Sequence, residues 1–173
     1  MDKNLGHYVV VTGIIINFEG KYLIAKRADW EKAFPGKWTV PGGKLKVLDY
    51  ALRKRDTSEH WYNVLEDLLK KEVEEEVGLK IKDINYVTSL VYIRDDNIPT
   101  LIISLYCYVD SGEGGERVVL DKSLTEYKWV SLEEARNYDL IEGIYEELEM
   151  LDKKLKQGGG VGEWSKKDNL YSN

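Results

Sequence analysis

The sequence predicts an α/β layered domain, a mixed β-sheet held between helices. Two observations carry this. The elements run in the order hairpin, strand, long helix, strands and then helices. The two long helical stretches each carry an apolar face that needs a sheet to cover it.

Tyr8 to Asn17 is rich in Val and Ile and reads as a buried strand. Glu19-Gly20 marks a turn, and Lys21 to Lys26 returns as the second arm of a hairpin. Ala28 to Lys37 reads as a loop. Trp38-Thr39-Val40 is a short strand stopped by Pro41-Gly42-Gly43, and Lys44 to Tyr62 is irregular and mixed in charge. A helix is expected from about Asn63, a plausible N-cap, to Val77. Gly78 fits the left-handed cap that ends it. Lys80 to Arg94 and Thr100 to Val109 are strand-like, joined through Asp95-Asp96-Asn97. A flexible Gly-rich loop, 111–116, precedes a last strand at Tyr127 to Val130. Ser131 with Glu134 forms a capping-box signal. A final helix spans about Leu140 to Lys156. Its Ile141, Ile144, Leu148, Leu151 and Leu155 suit packing on the sheet. A homodimer seam is the alternative, but the pattern lasts only about two heptads.

The chain has 173 residues, enough for one domain with a real core. Residues 1–157 are expected to form that domain, and 158–173 a Gly-rich polar tail that stays disordered unless a partner holds it. A net charge of −6 argues against nucleic acid as a partner. It leaves room for a phosphorylated small molecule if metal ions carry the positive charge. Cys107 is the only cysteine, so no intrachain disulfide forms, and its apolar neighbours place it in the core. The apolar run from Tyr8 to Phe18 is too short to span a bilayer and lacks signal-peptide features. No membrane role and a cytoplasmic location are the default expectations.

The most informative stretch is Lys71-Glu72-Val73-Glu74-Glu75-Glu76-Val77-Gly78-Leu79. Leu65, Leu69, Val73 and Val77 form one i, i+4 row, and Leu68, Glu72 and Glu76 the row beside it. Glu72, Glu75 and Glu76 therefore share an arc of roughly 100° bordering the buried stripe. Glu72 and Glu76 repel at i, i+4 by about 0.2–0.5 kcal/mol. The helix dipole disfavours each anion in the last turn by about 0.3–1 kcal/mol. Such a departure from local rules points to function. Three convergent carboxylates suit a hard cation, Mg²⁺ or Mn²⁺.

This acidic block, preceded by Pro-Gly-Gly, resembles the Nudix hydrolase signature G-x5-E-x7-R-E-U-x-E-E-x-G-U, where U is aliphatic. The strand with Lys26-Arg27, the stretch Trp38 to Gly43 and the stretch Glu126 to Ala135 are also similar to that family. The resemblance implies an α/β/α sandwich with a central mixed β-sheet. Two departures stand out. Lys71 replaces the arginine, losing its planar fork. Counting back from Glu72, the upstream glutamate position falls on Asn63, and about fourteen extra residues separate Gly43 from the helix. Glu59 and Glu66 are candidates to replace the lost carboxylate.

The resemblance further implies metal-dependent hydrolysis of the diphosphate linkage in a nucleoside diphosphate bearing another moiety. Glu72, Glu75 and Glu76 would hold Mg²⁺ or Mn²⁺, with the Gly42 carbonyl completing the set. Three glutamates compete as general base, ranked Glu75, then Glu116, then Glu126. Arg27 is a candidate for a substrate phosphate, and Lys44 for the same task. Trp61 and Tyr62, in the insertion beside Arg53-Lys54-Arg55, are candidates to stack a base. The competing reading is a nucleotide-sensing module that binds without turnover. A structural Ca²⁺ domain is disfavoured, because the D-x-[DN]-x-[DN]-G loop is missing.

Overall fold

The structure is a computed structural model that describes residues 6–93, 97–110, 112 and 117–158. The Val/Ile run forms β1 (Tyr8–Ile16), the strand around which the sheet is built. It pairs in parallel with β6 (Pro99–Val109), from Tyr8↔Thr100 to Ile16↔Tyr108. β5 (Ile81–Ile93) lies antiparallel to β6 at the edge, with two register shifts. β2 (Tyr22–Arg27) meets β1 only near the hairpin, at Ile16↔Tyr22, and then pairs with β3 (Trp38–Thr39) and β7 (Leu124–Val130). The Asn17 carboxamide tightens that turn by accepting the Glu19 and Lys21 amides. The result is a seven-stranded mixed sheet.

Pro41-Gly42-Gly43 does more than stop a strand. Gly42–Lys44 is itself a strand, β4, paired with β1 at Val10↔Lys44, Val11↔Gly43 and Thr12↔Gly42. A Cβ on Gly42 would strike the Val11 carbonyl and Thr12 Cα, so only glycine permits this approach. Turn-forming composition was overridden by a free edge of β1. The stretch expected to be irregular contains a short helix, α1 (Leu48–Ala51).

The acidic helix is α2 (Val64–Val77), ended by Gly78 at φ 69° with its amide on the Glu74 carbonyl. Asn63 precedes it without capping it. It sits at φ 53°, a left-handed conformation asparagine tolerates, and makes no side-chain cap bond. Ser131 and Glu134 complete the expected capping box of α3 (Leu132–Ala135). The last helix, α4 (Ile144–Gln157), starts later than expected. Residues before it bridge to β3: the Trp38 amide donates to Asp139, and the Ile141 amide donates to Trp38.

Alternation along β1 divides the core. Val11 and Ile15 meet Leu69, Val73 and Val77 of α2 on one face. Ile14 and Ile16 meet Leu148 and Leu151 of α4 on the other. A Cβ on Gly13 would fall within 3.2 Å of three Leu69 atoms, so this glycine seats α2. Cys107 is fully buried, and burial pushes its thiol up to about 12. Among the described residues no helix is long and apolar enough to cross a membrane. The tail from residue 159 lies outside the described residues.

Candidate active site

The site grows where α2 passes the glycine strand β4. Bonds from the Gly13 amide to Pro41 and from the Leu45 amide to Val9 turn alternate residues of this segment toward β1. Gly42 therefore turns its polar groups the other way, toward α2. Its amide donates to Glu76 Oε2 at 3.0 Å, and its carbonyl faces the same edge.

Glu76 is partly buried beside Gly42, and its pKa is pushed up to about 7. Burial is the main cause, reinforced by the Glu72 and Asp121 charges and opposed by the Gly42 amide and Arg27. Glu72 is pressed against Gly43. All three atoms of its carboxyl group lie within 2.7 Å of where a Cβ on Gly43 would stand. The Glu72 carboxylate thus occupies space that glycine leaves open, while Glu76 is held by the Gly42 amide.

Lys71 threads the cluster together. Its Nζ lies 3.2 Å from Glu72, 3.6 Å from Glu75 and 3.3 Å from Asp49. Burial works against its charge, but the Glu72 and Asp49 carboxylates outweigh that and hold its pKa high. Glu75 is 61% exposed and faces solvent at the rim. Among the described residues no three acidic, His or Cys side chains form a ready-made metal-holding group. The donor chemistry nevertheless suits a hard divalent ion: Glu72, Glu76 and the Gly42 carbonyl offer only oxygen. The buried, mutually repelling acids supply a reason to take one.

Asp49 is the residue the sequence reading missed. It lies on α1, 10% exposed, accepting the Lys46 amide at 2.7 Å and pairing with Lys71. Partial burial disfavours its charge, yet the Lys46 amide and Lys71 hold its pKa below the usual carboxylate range. Counting forward from Gly43, rather than back from Glu72, lands on it six residues on, the signature's glutamate offset. The insertion thus falls after this acid and before Lys71, and Asn63 is not its replacement. Asp121, whose amide donates to the Glu76 carbonyl, was also missed and faces the Glu76 charge.

The other candidates are placed as follows. Arg27 spends its guanidinium on its own loop, with Nε on Ala33 O at 2.7 Å and Nη2 on Glu31 at 3.0 Å. Lys44 lies over the Tyr8 ring, 5.0 Å from its centroid. Glu126 is exposed and paired to Lys26 at 3.1 Å. Trp61 packs within the insertion, edge-on to Tyr50, with its Nε1 donating to Arg53 and Arg55 over its ring. Tyr62 is 58% exposed. Glu116 lies outside the described residues. A shallow concavity at the α3–α4 junction, lined by Tyr138, Leu140 and Tyr145 among others, includes none of the carboxylates.

A family model for the NUDIX domain matches residues 6–151. The chain is 26% identical over 133 residues to the nucleoside triphosphatase NudI of Klebsiella pneumoniae, covering 73% of this chain and 84% of that protein. The NudI of Escherichia coli K12 matches with the same identity and coverage. Among solved structures, a MutT protein from Methanosarcina mazei superposes with a TM-score of 0.63 at 24% identity, over 87% of this chain and 96% of that one. The NUDIX domain of Shewanella oneidensis NrtR, solved with ADP ribose, gives 0.66 at 15% identity, over 90% and 93%.

Proposed function

This chain belongs to the NUDIX family, and from that premise we propose that it is a divalent-metal-dependent pyrophosphohydrolase of nucleoside triphosphates. It cleaves the diphosphate linkage of a nucleoside diphosphate bearing a further phosphate or another group. The observation that carries the reading is the meeting of two helix carboxylates with a glycine strand: Glu76 on the Gly42 amide, and Glu72 in the space beside Gly43. The names of the NudI relatives support a triphosphate substrate.

Bound Mg²⁺ or Mn²⁺ would neutralise phosphate oxygens and acidify a water molecule. Glu72, Glu76 and the Gly42 carbonyl are the groups proposed to hold it. Glu75, exposed beside them, is the proposed general base that accepts the proton of the attacking water. Lys71, held by Asp49, fixes Glu72 and Glu75 by charge. The substrate's own phosphates need alignment more than covalent help.

The test is a panel of nucleoside triphosphates, sugar nucleotides, ADP-ribose, dinucleotides and NADH with Mg²⁺, run beside Glu75→Gln. The expected result is product from triphosphates and a loss of 10²-fold or more in the variant. Equal turnover by variant and parent rejects the role of Glu75. A second reading, nucleotide binding without turnover, draws on the loss of the signature's upstream glutamate, whose offset from Gly43 falls on Asp49. Nucleotide protection against thermal unfolding with no product from any substrate would favour it.

A further inference from the structure

The insertion that interrupts the acidic signature is folded onto α2, and its contacts lead to the site. Lys71 is a flexible point charge without a planar fork, so the carboxylates around it set its place. Glu72 and Glu75 share its helix; Asp49 comes from α1. Yet α1 has little to hold it. It has four residues, none of them buried, and its N-cap makes no side-chain bond. Val47, Leu48 and Leu52 leave their side chains in solvent. A helix this short does not persist by itself.

A second ion pair repeats the first one turn along. Asp49 pairs with Lys71, and Arg53 pairs with Asp67. Leu52 keeps helical backbone, so Arg53 follows Asp49 at i+4, as Lys71 follows Asp67 at i+4. Residues four apart share a helix face. The two segments thus run antiparallel, joined by two rungs of opposite polarity.

The rest of the insertion secures the Arg53 rung. The other arm of the Arg53 guanidinium donates to the Tyr62 carbonyl at 2.6 Å. The Arg53 amide donates to Tyr50, and the Arg53 carbonyl accepts Trp61 Nε1, each at 3.1 Å. The Trp61 ring lies edge-on to Tyr50, 5.4 Å between centroids, with the Arg55 guanidinium 5.0 Å from its own centroid. Asp56 accepts the Tyr62 amide at 2.9 Å and closes the loop on itself. Asn63, at φ 53°, then turns the chain into α2.

We infer that the Arg53–Asp67 rung, with Trp61 braced behind it, is a positioning device for the hydrolytic site: it fixes α1 so that Asp49 keeps Lys71 on Glu72 and Glu75. The inference rests on the hydrolase reading and gives the insertion a task within it. Arg53 touches neither substrate nor the reacting atoms. It acts through Asp49, and the insertion supplies by tertiary contact the rigidity that lysine lacks.

The experiment takes the full chain with Arg53→Met, Asp49→Asn and the two combined. Trp61→Ala and Trp61→Phe test the brace. Arg53→Met is expected to lower kcat about tenfold or more, leave KM within twofold, and weaken Mn²⁺ affinity measured without substrate. In metal-free protein the Ala51 amide, bonded to Val47, should exchange faster. Added to Asp49→Asn, Arg53→Met should cost nothing further, because it acts only through that acid. Trp61→Ala should follow Arg53→Met, with Trp61→Phe restoring most of the loss. A merely structural role would lower Tm and multiply with Asp49→Asn, and a direct phosphate contact would raise KM; either result overturns the inference. So does a folded Arg53→Met with parental kcat and Mn²⁺ affinity. If Arg53→Met fails to fold, Asp67→Asn carries the same comparison. If the parent hydrolyses nothing, Mn²⁺ affinity and amide exchange decide: a loss in Arg53→Met absent from the Asp49→Asn background keeps the ladder while the hydrolase reading falls, and no loss removes both.

Discussion

Replacing Gly43 by alanine isolates the placement of Glu72 from the stability of the fold. Gly43 lies in β4 without a positive φ, so its backbone accepts alanine unstrained. The added methyl would meet the Glu72 carboxyl group, whose most distant atom is 2.7 Å away, whereas ordinary contact begins at 3.4 Å. The carboxylate must retreat by about 1 Å, and displacement on that scale costs on the order of 10²-fold in rate. Stability changes little. Losing the Glu72–Lys71 pair costs about 0–1 kcal/mol, offset by roughly 0.4–1 kcal/mol from a stiffer unfolded chain. Mg²⁺-dependent release of phosphate or pyrophosphate, beside a thermal melt, reads both quantities. A Gly43→Ala protein with parental kcat/KM would refute the claim that Glu72 works from this position. Gly42→Ala is the contrasting control: its methyl meets β1 backbone, so melting temperature and activity should fall together.

Three further outcomes follow from the same geometry. Glu76 has a folded pKa of about 7 against 4.5 unfolded. Its contribution is therefore complete below about pH 4.5 and is lost as pH rises through 7, worth about 2–3 kcal/mol at 1.4 kcal/mol per unit, discounted for partial exposure. Metal-free protein should melt lower at pH 8 than at pH 5. Glu76→Gln should flatten the difference and Mg²⁺ should reduce it; a parental slope in the variant contradicts the assignment. Asp49→Asn frees Lys71 and should lower kcat by about 10-fold or more with little change in melting temperature, and metal titration should show weaker affinity. Gly13→Ala drives a methyl into Leu69 beneath α2 and should cost roughly 1–3 kcal/mol by denaturant unfolding; a neutral result would mean α2 is less tightly seated than its packing indicates.

Much of the fold was legible because its signals are local and periodic. The rows on α2 come from its 3.6-residue period, and Leu68, Leu69, Val73 and Val77 are the residues buried. The Ser131–Glu134 box and the Gly78 cap are short-range chemistry and form as expected. Asn63 was misjudged because its side chain suits two conformations, and the chain entering α2 selects the left-handed one. The Pro-Gly-Gly stretch was misjudged because composition shows where a chain can turn, not which free edge it joins. Asp49 escaped notice because an insertion breaks the spacing behind it, and only the fold brings it to Lys71.

By itself the sequence determined the family, the layered α/β class and the helix that gathers three glutamates on one arc, since each depends on residues close in the chain. The tertiary structure alone decided which glutamate is buried, which is exposed, what Lys71 holds, and what lies on the opposite face of the sheet. Those depend on strands far apart in sequence becoming neighbours. Desolvation, and the contacts a missing Cβ allows, exist only once they have met.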